Sequence, residues 1–452
     1  MKTLKGRIIP ILSLLSLAAT AGAQEYFREF GTSRSSGGIG RLSPSSEVFT
    51  GNDSEGLSPI TPFDEVGKEE DYNMRLGIFD FVIAAGLGVE FNDNITLAHR
   101  DKLSDIIFRP EIDVEGIIRF SDTNRIRVGV GLSYAKYLDH PEFDTDGVLI
   151  APTSAIVWTA KSGAFTFTVR ERLSYQEDPF AVAVLSNIAL YKRWENQAGI
   201  QVDWEANQYT KITVGYDRFD LWASDDTFKS QSKSINTIYL RPSYQISPYL
   251  TAGLNLSESF VKHRENIQAD GQSLLVGPYV QWKVSDRTDV YVEVGYQQTT
   301  FDGKTRIEIL DAKTLKGTGK FAEDGEDTSG VYAKIEITNR PTESFKHKLT
   351  ASKTTEFGFG TNSYDLYHAE YSAEWAFAEN TSLSPTLFYE YFETSGNLSE
   401  KGHRFGAALG LQHIFSQHLT MGLDYRFLMK GSDQPDSDYT QNLGMFSIYY
   451  KF

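Results

Sequence analysis

The stretch that decides the fold runs from Phe79 to Phe91 and reads FDFVIAAGLGVEF. Every second residue from Phe79 onward is apolar, and the residues between them are mostly small or charged, as at Asp80, Gly86 and Glu90. Successive side chains of a β-strand point to opposite faces, so this stretch has one apolar face that continues for about thirteen residues. Strands of globular proteins usually have about five or six residues. The pattern therefore predicts a strand long enough to cross a membrane.

The same alternation with a period of two recurs along the rest of the chain. The clearest apolar sets are Ile106/Phe108/Ile112/Val114/Ile118/Phe120, Ile126/Val128/Val130/Leu132, Phe165/Phe167/Val169, Leu250/Ala252/Leu254/Leu256, Val290/Val292/Val294/Tyr296, Val331/Ala333/Ile335/Ile337, Tyr371/Ala373/Trp375/Phe377 and Leu419/Met421/Leu423/Tyr425/Phe427. The residues between them are polar or small, with many glycines and few lysines, which is typical of a face that lines a confined lumen. Pro110 lies on the apolar side and lacks a ladder donor, which predicts a bulge or a position at the membrane edge.

The connections between these strands alternate between two kinds. Tight turns are predicted at 121–124, 161–163, 247–248, 285–287, 378–380 and 416–417. Longer polar connections are predicted at 92–103, 139–148, 177–186, 224–232, 302–328 and 431–438. A transmembrane barrel has short periplasmic turns and longer outer loops, whereas a soluble β-sandwich has no reason to keep this asymmetry.

Composition excludes several other classes of protein. The chain contains no cysteine, so it has no disulfide framework, thiolate metal site, cysteine nucleophile or lipid-modified N-terminal cysteine. Its net charge of −16 argues against a nucleic-acid partner, since binding to phosphates requires a basic surface. The mean hydropathy of −0.34 suits a barrel, because half of each strand faces water.

The first residues have the features of an export signal. A basic segment containing Lys2, Lys5 and Arg7 precedes an apolar run over residues 8–19. The run is shorter than the about 20 residues that a spanning helix needs. The small residues Ala21 and Ala23 then form a cleavage site before Gln24. We therefore expect residues 1–23 to be a signal peptide and the protein to reach the outer membrane of a Gram-negative bacterium.

The remaining chain divides into two predicted regions. Residues 24–76 are rich in Ser, Gly and Pro, and we interpret them as a flexible periplasmic arm or a short plug inside the lumen. Residues 77–452 are predicted to be an all-β, antiparallel, up-and-down transmembrane barrel of about 18 strands, with 16 as the alternative. The pattern of the strands is least clear around 151–160, 189–204 and 234–246. No wall of the barrel stands out in the sequence as an oligomer interface.

The C-terminal segment has a more specific pattern. Phe446, Ile448, Tyr450 and Phe452 occupy alternate positions, and the chain ends on an aromatic residue. A terminal aromatic residue after an alternating apolar run resembles the signal that the barrel assembly machinery of the outer membrane recognises. We therefore expect this machinery to be a partner of the chain during insertion.

The segment from Gly86 to Asp144 resembles a family of β-barrel porins that occurs in exopolysaccharide and other envelope gene neighbourhoods. Three stretches carry the resemblance, and they are Glu90-Phe91-Asn92-Asp93-Asn94-Ile95, Ser104-Asp105-Ile106-Ile107-Phe108-Arg109-Pro110, and Tyr134 with Tyr137-Leu138-Asp139. The resemblance covers roughly the first four strands, and beyond Asp144 only the general barrel pattern matches. It implies a barrel, and the family's transported substrates are mostly unassigned.

Charged residues fall on the face opposite the apolar sets. The predicted lumen-lining residues are Arg109, Glu111, Asp113, Glu115, Arg119, Arg125, Arg127, Arg170, Arg172, Glu293, Lys334, Glu336, Glu370, Glu374, Asp424 and Arg426. Placing an Arg or Lys on the lipid side near the midplane would cost about 2–4 kcal/mol. These residues form either a ladder of ion pairs that stiffens the wall or a polar path for hydrophilic solutes, and the two interpretations are compatible.

The sequence gives little support for catalysis or for a metal centre. The eight histidines are scattered, and none lies in a motif that pairs it with a Ser or Asp. The stretch 144–147 has only half of a calcium-loop pattern. The acidic clusters at 323–327 and 433–438 are predicted to be solvated loops, or sites for divalent cations that bridge lipopolysaccharide. We therefore expect no cofactor, no metal site and no enzyme activity.

A passive channel for hydrophilic solutes, linked to saccharide transport or export, is the leading hypothesis, because barrels of 16–18 strands leave an aqueous channel. Its expected partners are outer-membrane lipid, lipopolysaccharide, and a polysaccharide or other hydrophilic solute. A structural or surface-interaction barrel, closed by the 302–328 loop or by the arm, is the alternative. A membrane-embedded hydrolase is a third and weaker hypothesis.

Overall fold

The computed structural model describes residues 74–452 except 153, 178–185, 266–267, 311–316, 326, 359–360 and 397–398. The predicted signal peptide and most of the predicted arm therefore lie outside the described residues. None of the described residues forms a helix that is long and apolar enough to cross a bilayer.

Eighteen long antiparallel strands form the body of the molecule. The first nine are β1 (Phe79–Asn92), β2 (Asp105–Ser121), β3 (Asn124–Ser133), β4 (Ala155–Ser162), β5 (Phe165–Gln176), β6 (Arg193–Glu205), β7 (Thr210–Ala223), β8 (Lys233–Ser247) and β9 (Leu250–His263). The second nine are β10 (Gly271–Ser285), β11 (Thr288–Phe301), β12 (Thr328–Thr342), β13 (Phe345–Phe357), β14 (Ser363–Ala378), β15 (Thr381–Thr394), β16 (Lys401–Ile414), β17 (Leu419–Ser432) and β18 (Tyr439–Lys451).

Each strand pairs with the next, and β18 pairs with β1 from Ala84↔Lys451 to Asn92↔Leu443. This last pairing closes the sheet, so the fold is an up-and-down antiparallel β-barrel, as predicted, and the strand count is 18 rather than 16. The three stretches where the pattern is least clear are the strands β4, β6 and β8.

Several short elements lie outside the barrel wall. Short strands are Met74–Leu76, which pairs with β1, Lys136–Tyr137, which pairs with β2, and Leu149–Ile150, which pairs with β3 and β5. The β11–β12 loop contains a hairpin of Thr305–Leu310 and Gly317–Asp324. Two 3-10 helices cover Pro141–Phe143 and Asp226–Gln231. The sheet thus begins slightly before the predicted boundary at Gly77.

The outer face of the wall is apolar and exposed. Leu87, Ile112, Val130, Trp375 and Phe446 are each between 41% and 53% exposed, as expected for side chains that contact lipid. Short and long connections alternate along the chain as predicted, with short turns at one end of the barrel and long loops at the other. This arrangement places the long loops on the extracellular side of an outer membrane.

Pro110 on β2 differs in detail from its prediction. Its pairing with Leu87 on β1 continues without a shift. On the side of β2 that faces β3, Glu111 pairs with Ser133 and Phe108 pairs with Lys136. These two pairs belong to one continuous register. The proline therefore interrupts the ladder without creating a bulge, because the missing donor falls at the end of β3.

Candidate functional site

The inner face of the barrel is lined by charged and polar side chains. The charged residues predicted to line the lumen all lie on this face, because they alternate along their strands with exposed apolar residues of the outer face. Many of them are buried, including Asp113, Glu115, Arg127 and Glu293 at 3–6% exposure. Burial of so many ionisable groups requires partners on neighbouring strands.

Ion pairs on the first three strands supply such partners. They are Arg109–Glu90, Arg119–Asp80 and Arg127–Glu115. In the first pair Arg109 Nε lies 2.7 Å from Glu90 Oε2, and in the third Arg127 Nη2 lies 3.1 Å from Glu115 Oε1. These pairs tie β1, β2 and β3 together and give this part of the lumen both signs of charge.

A second cluster lies on β5 to β8. Arg170 Nη2 donates to both carboxylate oxygens of Asp217, at 2.9 and 3.1 Å. The Tyr239 hydroxyl accepts from Arg170 at 3.4 Å and donates to Gln201 at 3.1 Å. Sequence analysis identified Arg170 but not Asp217. Asp217 lies between Tyr216 and Arg218, so apolar and polar residues do not alternate clearly around it.

A third cluster centres on Glu293 of β11. Its carboxylate accepts hydrogen bonds from the hydroxyls of Tyr291 and Tyr332 and, at 2.7 Å, from Asn255 Nδ2. Arg241 Nη2 also donates to the Tyr291 hydroxyl at 3.0 Å. This cluster gives the lumen a group of tyrosine rings beside charged groups.

Sequence analysis missed the most deeply buried charges. On β15 and β16, Arg404 Nε donates to Glu390 Oε2 at 2.8 Å, and these side chains are 1% and 7% exposed. Near the extracellular ends of the strands, Lys430 and Glu400 pair at 2.9 Å with both side chains 0% exposed. The signal available in the sequence was Arg404 itself, which stands between Gly402 and Gly406 on the inner side of β16.

Glycines on the inner face allow aromatic rings to lie against the wall. A Cβ atom at Gly215 would lie 2.2 Å from the ring of Tyr239, and one at Gly406 would lie 2.1 Å from the ring of Phe388. In both places the ring comes from the adjacent strand and occupies the space of the missing side chain. The glycines therefore keep bulky rings out of the central space of the lumen.

We expect Gly215→Ala to push the Tyr239 ring toward the lumen, because the added methyl group cannot share the space. Overpacking of this kind typically costs about 1–3 kcal/mol, and the displaced ring should lower single-channel conductance. Gly444→Ala is the control, since no atom lies within 4 Å of its Cβ position. Equal conductance of the two variants would contradict this role for Gly215.

Long loops fold inward over the extracellular end. Leu97 of the β1–β2 loop packs against Phe388, Leu428 and Tyr439 of the wall. From β8, Lys233 Nζ donates to the carbonyl oxygens of Phe357, the last residue of β13, and of Gly358, at 3.2 and 2.9 Å. These contacts join parts of the barrel that are not neighbours in the sheet, so they narrow the entrance from two sides.

The residues of the family resemblance build this loop layer. The Asp105 carboxylate, which is 0% exposed, accepts backbone hydrogen bonds at 2.9–3.1 Å from Leu138, Asp139 and His140, and another from His140 Nδ1. Asn94 donates to the carbonyl oxygens of Ala98 and Thr440 in a similar way. The motif residues therefore hold the loops in place.

Asp105→Asn should loosen the β3–β4 loop, because an amide presents donors where the carboxylate accepts. Hydrogen bonds to charged groups contribute about 1.5–3 kcal/mol each, so amide exchange at 138–140 should rise by roughly 10-fold or more. Hydrogen exchange with mass spectrometry measures this rise. The control is Asp139→Asn, an exposed neighbour. Unchanged protection in Asp105→Asn would refute the anchoring role.

The described residues offer no group of three or more His, Cys, Asp or Glu side chains that could hold a metal ion. His368 is the histidine with the most carboxylate contacts, at 3.0 Å from Glu390 and 3.9 Å from Glu370. It lies on the inner wall among ion pairs.

These features define a transmembrane β-barrel of the Gram-negative outer membrane, with a polar inner face and inward-folded outer loops. Solved structures of porins are similar to it. They include OpdK of Pseudomonas aeruginosa with vanillate (TM-score 0.44, 10% identity, 82% of this chain and 99% of that chain). A BenF-like porin of Pseudomonas fluorescens gives a TM-score of 0.45 at 10% identity, over 83% of this chain and 100% of that chain.

A third similar structure is the trimer form of OmpT, an outer membrane protein of Vibrio cholerae (TM-score 0.40, 11% identity, 83% of this chain and 99% of that chain). No protein-family model and no curated protein matches the chain. The strand pairing of this chain, rather than these distant likenesses, carries the assignment of the fold.

Proposed function

We propose that the protein is a passive channel for hydrophilic solutes. The observation that carries this proposal is the closed wall of 18 strands whose inner face is polar and carries both signs of charge. A barrel of this size is too wide to be filled by its own wall side chains. Charged groups of both signs along the inner face favour polar solutes over apolar ones.

Some polar atoms of the inner face have no protein partner among the described residues. Glu111 Oε1, Asp424 Oδ1 and Ser257 Oγ are buried and have no hydrogen-bond partner among the described residues. Buried polar atoms of this kind normally bond to ordered water or to a ligand. Their presence on the inner wall supports a hydrated path.

We further propose saccharides as the solute class, in keeping with the resemblance to porins of exopolysaccharide gene neighbourhoods. Tyrosine rings lie beside carboxylates and arginines, as with Tyr239 near Asp217 and Tyr332 on Glu293. Sugar hydroxyls bond to charged groups and to hydroxyl groups of this kind. The combination suits a neutral polyhydroxylated solute.

Swelling of liposomes that contain the protein tests the solute class. We expect glucose and maltose to enter, and entry of larger oligosaccharides to fall as the narrowed entrance excludes them. Equal entry of neutral sugars and of amino acids of matched size would count against a saccharide preference. Absence of swelling with any solute would count against a channel.

The alternative is a barrel closed by its loops. Asp324, at the end of the β11–β12 hairpin, accepts hydrogen bonds from Asn362 N at 2.7 Å and Ser395 Oγ at 2.9 Å. These bonds join three outer loops, which favours a rigid layer of loops over the extracellular end of the lumen. A variant lacking residues 304–325 would conduct under this alternative while the intact protein would not.

A further inference from the structure

Charged side chains interrupt the apolar outer face on β5 and β7. On β5, the outward residues Phe165, Phe167 and Val169 are followed by Glu171, which is exposed on the outer face. On β17, by contrast, the outward residues remain apolar for twice as many positions, and these are Leu419, Met421, Leu423, Tyr425, Phe427 and Met429. The wall around β5 to β7 therefore differs from the lipid-facing wall on the other side of the barrel.

Five residues form this lateral patch. They are Glu171 on β5, Asn196 on β6, Arg218 and Asp220 on β7, and Asn236 on β8. Asn196 donates to Glu171, and Arg218 bonds to both oxygens of Asp220 at 2.6 and 2.8 Å. Tyr216 donates to Asn236 at 2.7 Å. The patch is thus an ordered polar network on a surface that lipid would otherwise cover.

Its depth makes contact with lipid alone unfavourable. Glu171 lies six residues beyond Phe165, the first residue after a periplasmic turn. With a rise of about 3.3 Å per residue and a strand tilt of about 40°, Glu171 lies roughly 15 Å above that turn. The apolar band of such barrels is about 25 Å tall. The carboxylate therefore lies within the band, and no cation among the described residues pairs with it.

We propose that the lateral patch binds a second copy of this chain around a two-fold axis along the membrane normal. Two barrels inserted in the same orientation can be related only by a symmetry axis along the membrane normal. A two-fold axis of this kind places the left side of one facing wall opposite the right side of the other. Glu171 and Arg218 flank Ala198 of β6 in one row of the sheet. An axis at Ala198 therefore brings Glu171 against Arg218 of the partner subunit.

Charge and reach both fit this contact. Glu171 is the acidic residue of the patch without a cation among the described residues, while Arg218 is 46% exposed and keeps one face free of Asp220. Strand tilt places Glu171 and Arg218 at heights that differ by roughly 6 Å, given a strand spacing of about 4.8 Å. An extended arginine side chain spans that difference. The two-fold axis creates the ion pair twice.

Cysteine cross-linking in intact outer membranes tests the contact, because the natural chain contains no cysteine. The test variant is Ala198→Cys, at the proposed axis. The matched control is Ala407→Cys, an outward alanine of the same partial exposure on β16. We expect oxidation to yield a disulfide-linked dimer with Ala198→Cys and none with Ala407→Cys.

Charge reversal then tests the ion pair. Glu171→Lys in the Ala198→Cys background should abolish the cross-link, whereas Glu258→Lys, at an outward carboxylate of β9 outside the patch, should leave it. Heat-modifiable gel mobility verifies that each variant is folded. If Glu171→Lys does not fold, Glu171→Gln replaces it in the cross-linking experiment and should weaken the cross-link. In addition, native mass spectrometry of the unmutated protein in nanodiscs should give twice the mass of one chain.

Three results would overturn the proposal. One is equal cross-linking of Ala198→Cys and Ala407→Cys, and another is a folded Glu171→Lys variant that still cross-links. The third is a nanodisc particle with the mass of one chain. If the particle with the mass of one chain carries lipopolysaccharide that Arg218→Glu removes, the patch contacts lipid headgroups instead of a second copy.

Discussion

Arg404→Ala should lower the free energy of unfolding by about 3–5 kcal/mol, because it leaves the buried Glu390 without its cation. Arg404 is 1% exposed and bonds to Glu390 through both Nε and Nη2. His368 Nδ1 also lies 3.0 Å from the Glu390 carboxylate, but one hydrogen bond cannot replace the guanidinium. Guanidinium-induced unfolding in detergent micelles, followed by tryptophan fluorescence, measures the loss.

A matched pair on the same two strands serves as the control. Lys401 bonds to Glu393, but these side chains are 50% and 42% exposed. Exposed pairs of this kind contribute about 0–1 kcal/mol, so Lys401→Ala should have little effect. Equal losses in the two variants would mean that burial on the inner face does not set the strength of these pairs.

Phe452→Ser should remove most of the folded protein from the outer membrane. The backbone N–H of Phe452 donates to Ile83 O of β1 at 3.0 Å, so the last residue extends the pairing that closes the barrel. Its ring packs against Tyr450 with centroids 5.1 Å apart. The change deletes this contact and the terminal aromatic residue that we expect the assembly machinery to recognise.

The amount of heat-modifiable protein in purified outer membranes gives the readout. Phe452→Tyr keeps an aromatic ring and is the control, and it should assemble normally. Normal assembly of Phe452→Ser would refute the role of Phe452, and by extension of the alternating set Phe446, Ile448 and Tyr450, as an assembly signal.

The architecture was predictable because every strand of a transmembrane barrel has one face in contact with lipid. Contact with lipid favours apolar outward residues, and this preference produced the clear alternation at Phe79–Phe91 and in the final strand. The alternation is weaker on β6 and β8, partly because each of these strands carries a polar outward residue of the lateral patch. Asn196 on β6 and Asn236 on β8 are polar residues at outward positions, so the feature that made these strands hard to predict also marks the proposed interface.

The partners within the lumen were much less predictable. Alternation assigns Arg170 to the inner face but does not indicate that Asp217, two strands away, is its partner. That pairing depends on the register of hairpins and on Gly199, whose missing side chain leaves room for the Asp217 carboxylate. Contacts of the outer loops, such as Lys233 with the chain at the end of β13, depend on loop conformations that no periodicity encodes.

The most direct test of the proposed channel is the single-channel conductance of refolded protein, residues 24–452, in a planar bilayer. A hydrated lumen predicts stable, uniform conductance steps, and a saccharide preference predicts that added oligosaccharide reduces the current in a saturable way. A silent bilayer would contradict the channel if the same preparation shows heat-modifiable barrel mobility. It would then favour a barrel closed by its loops.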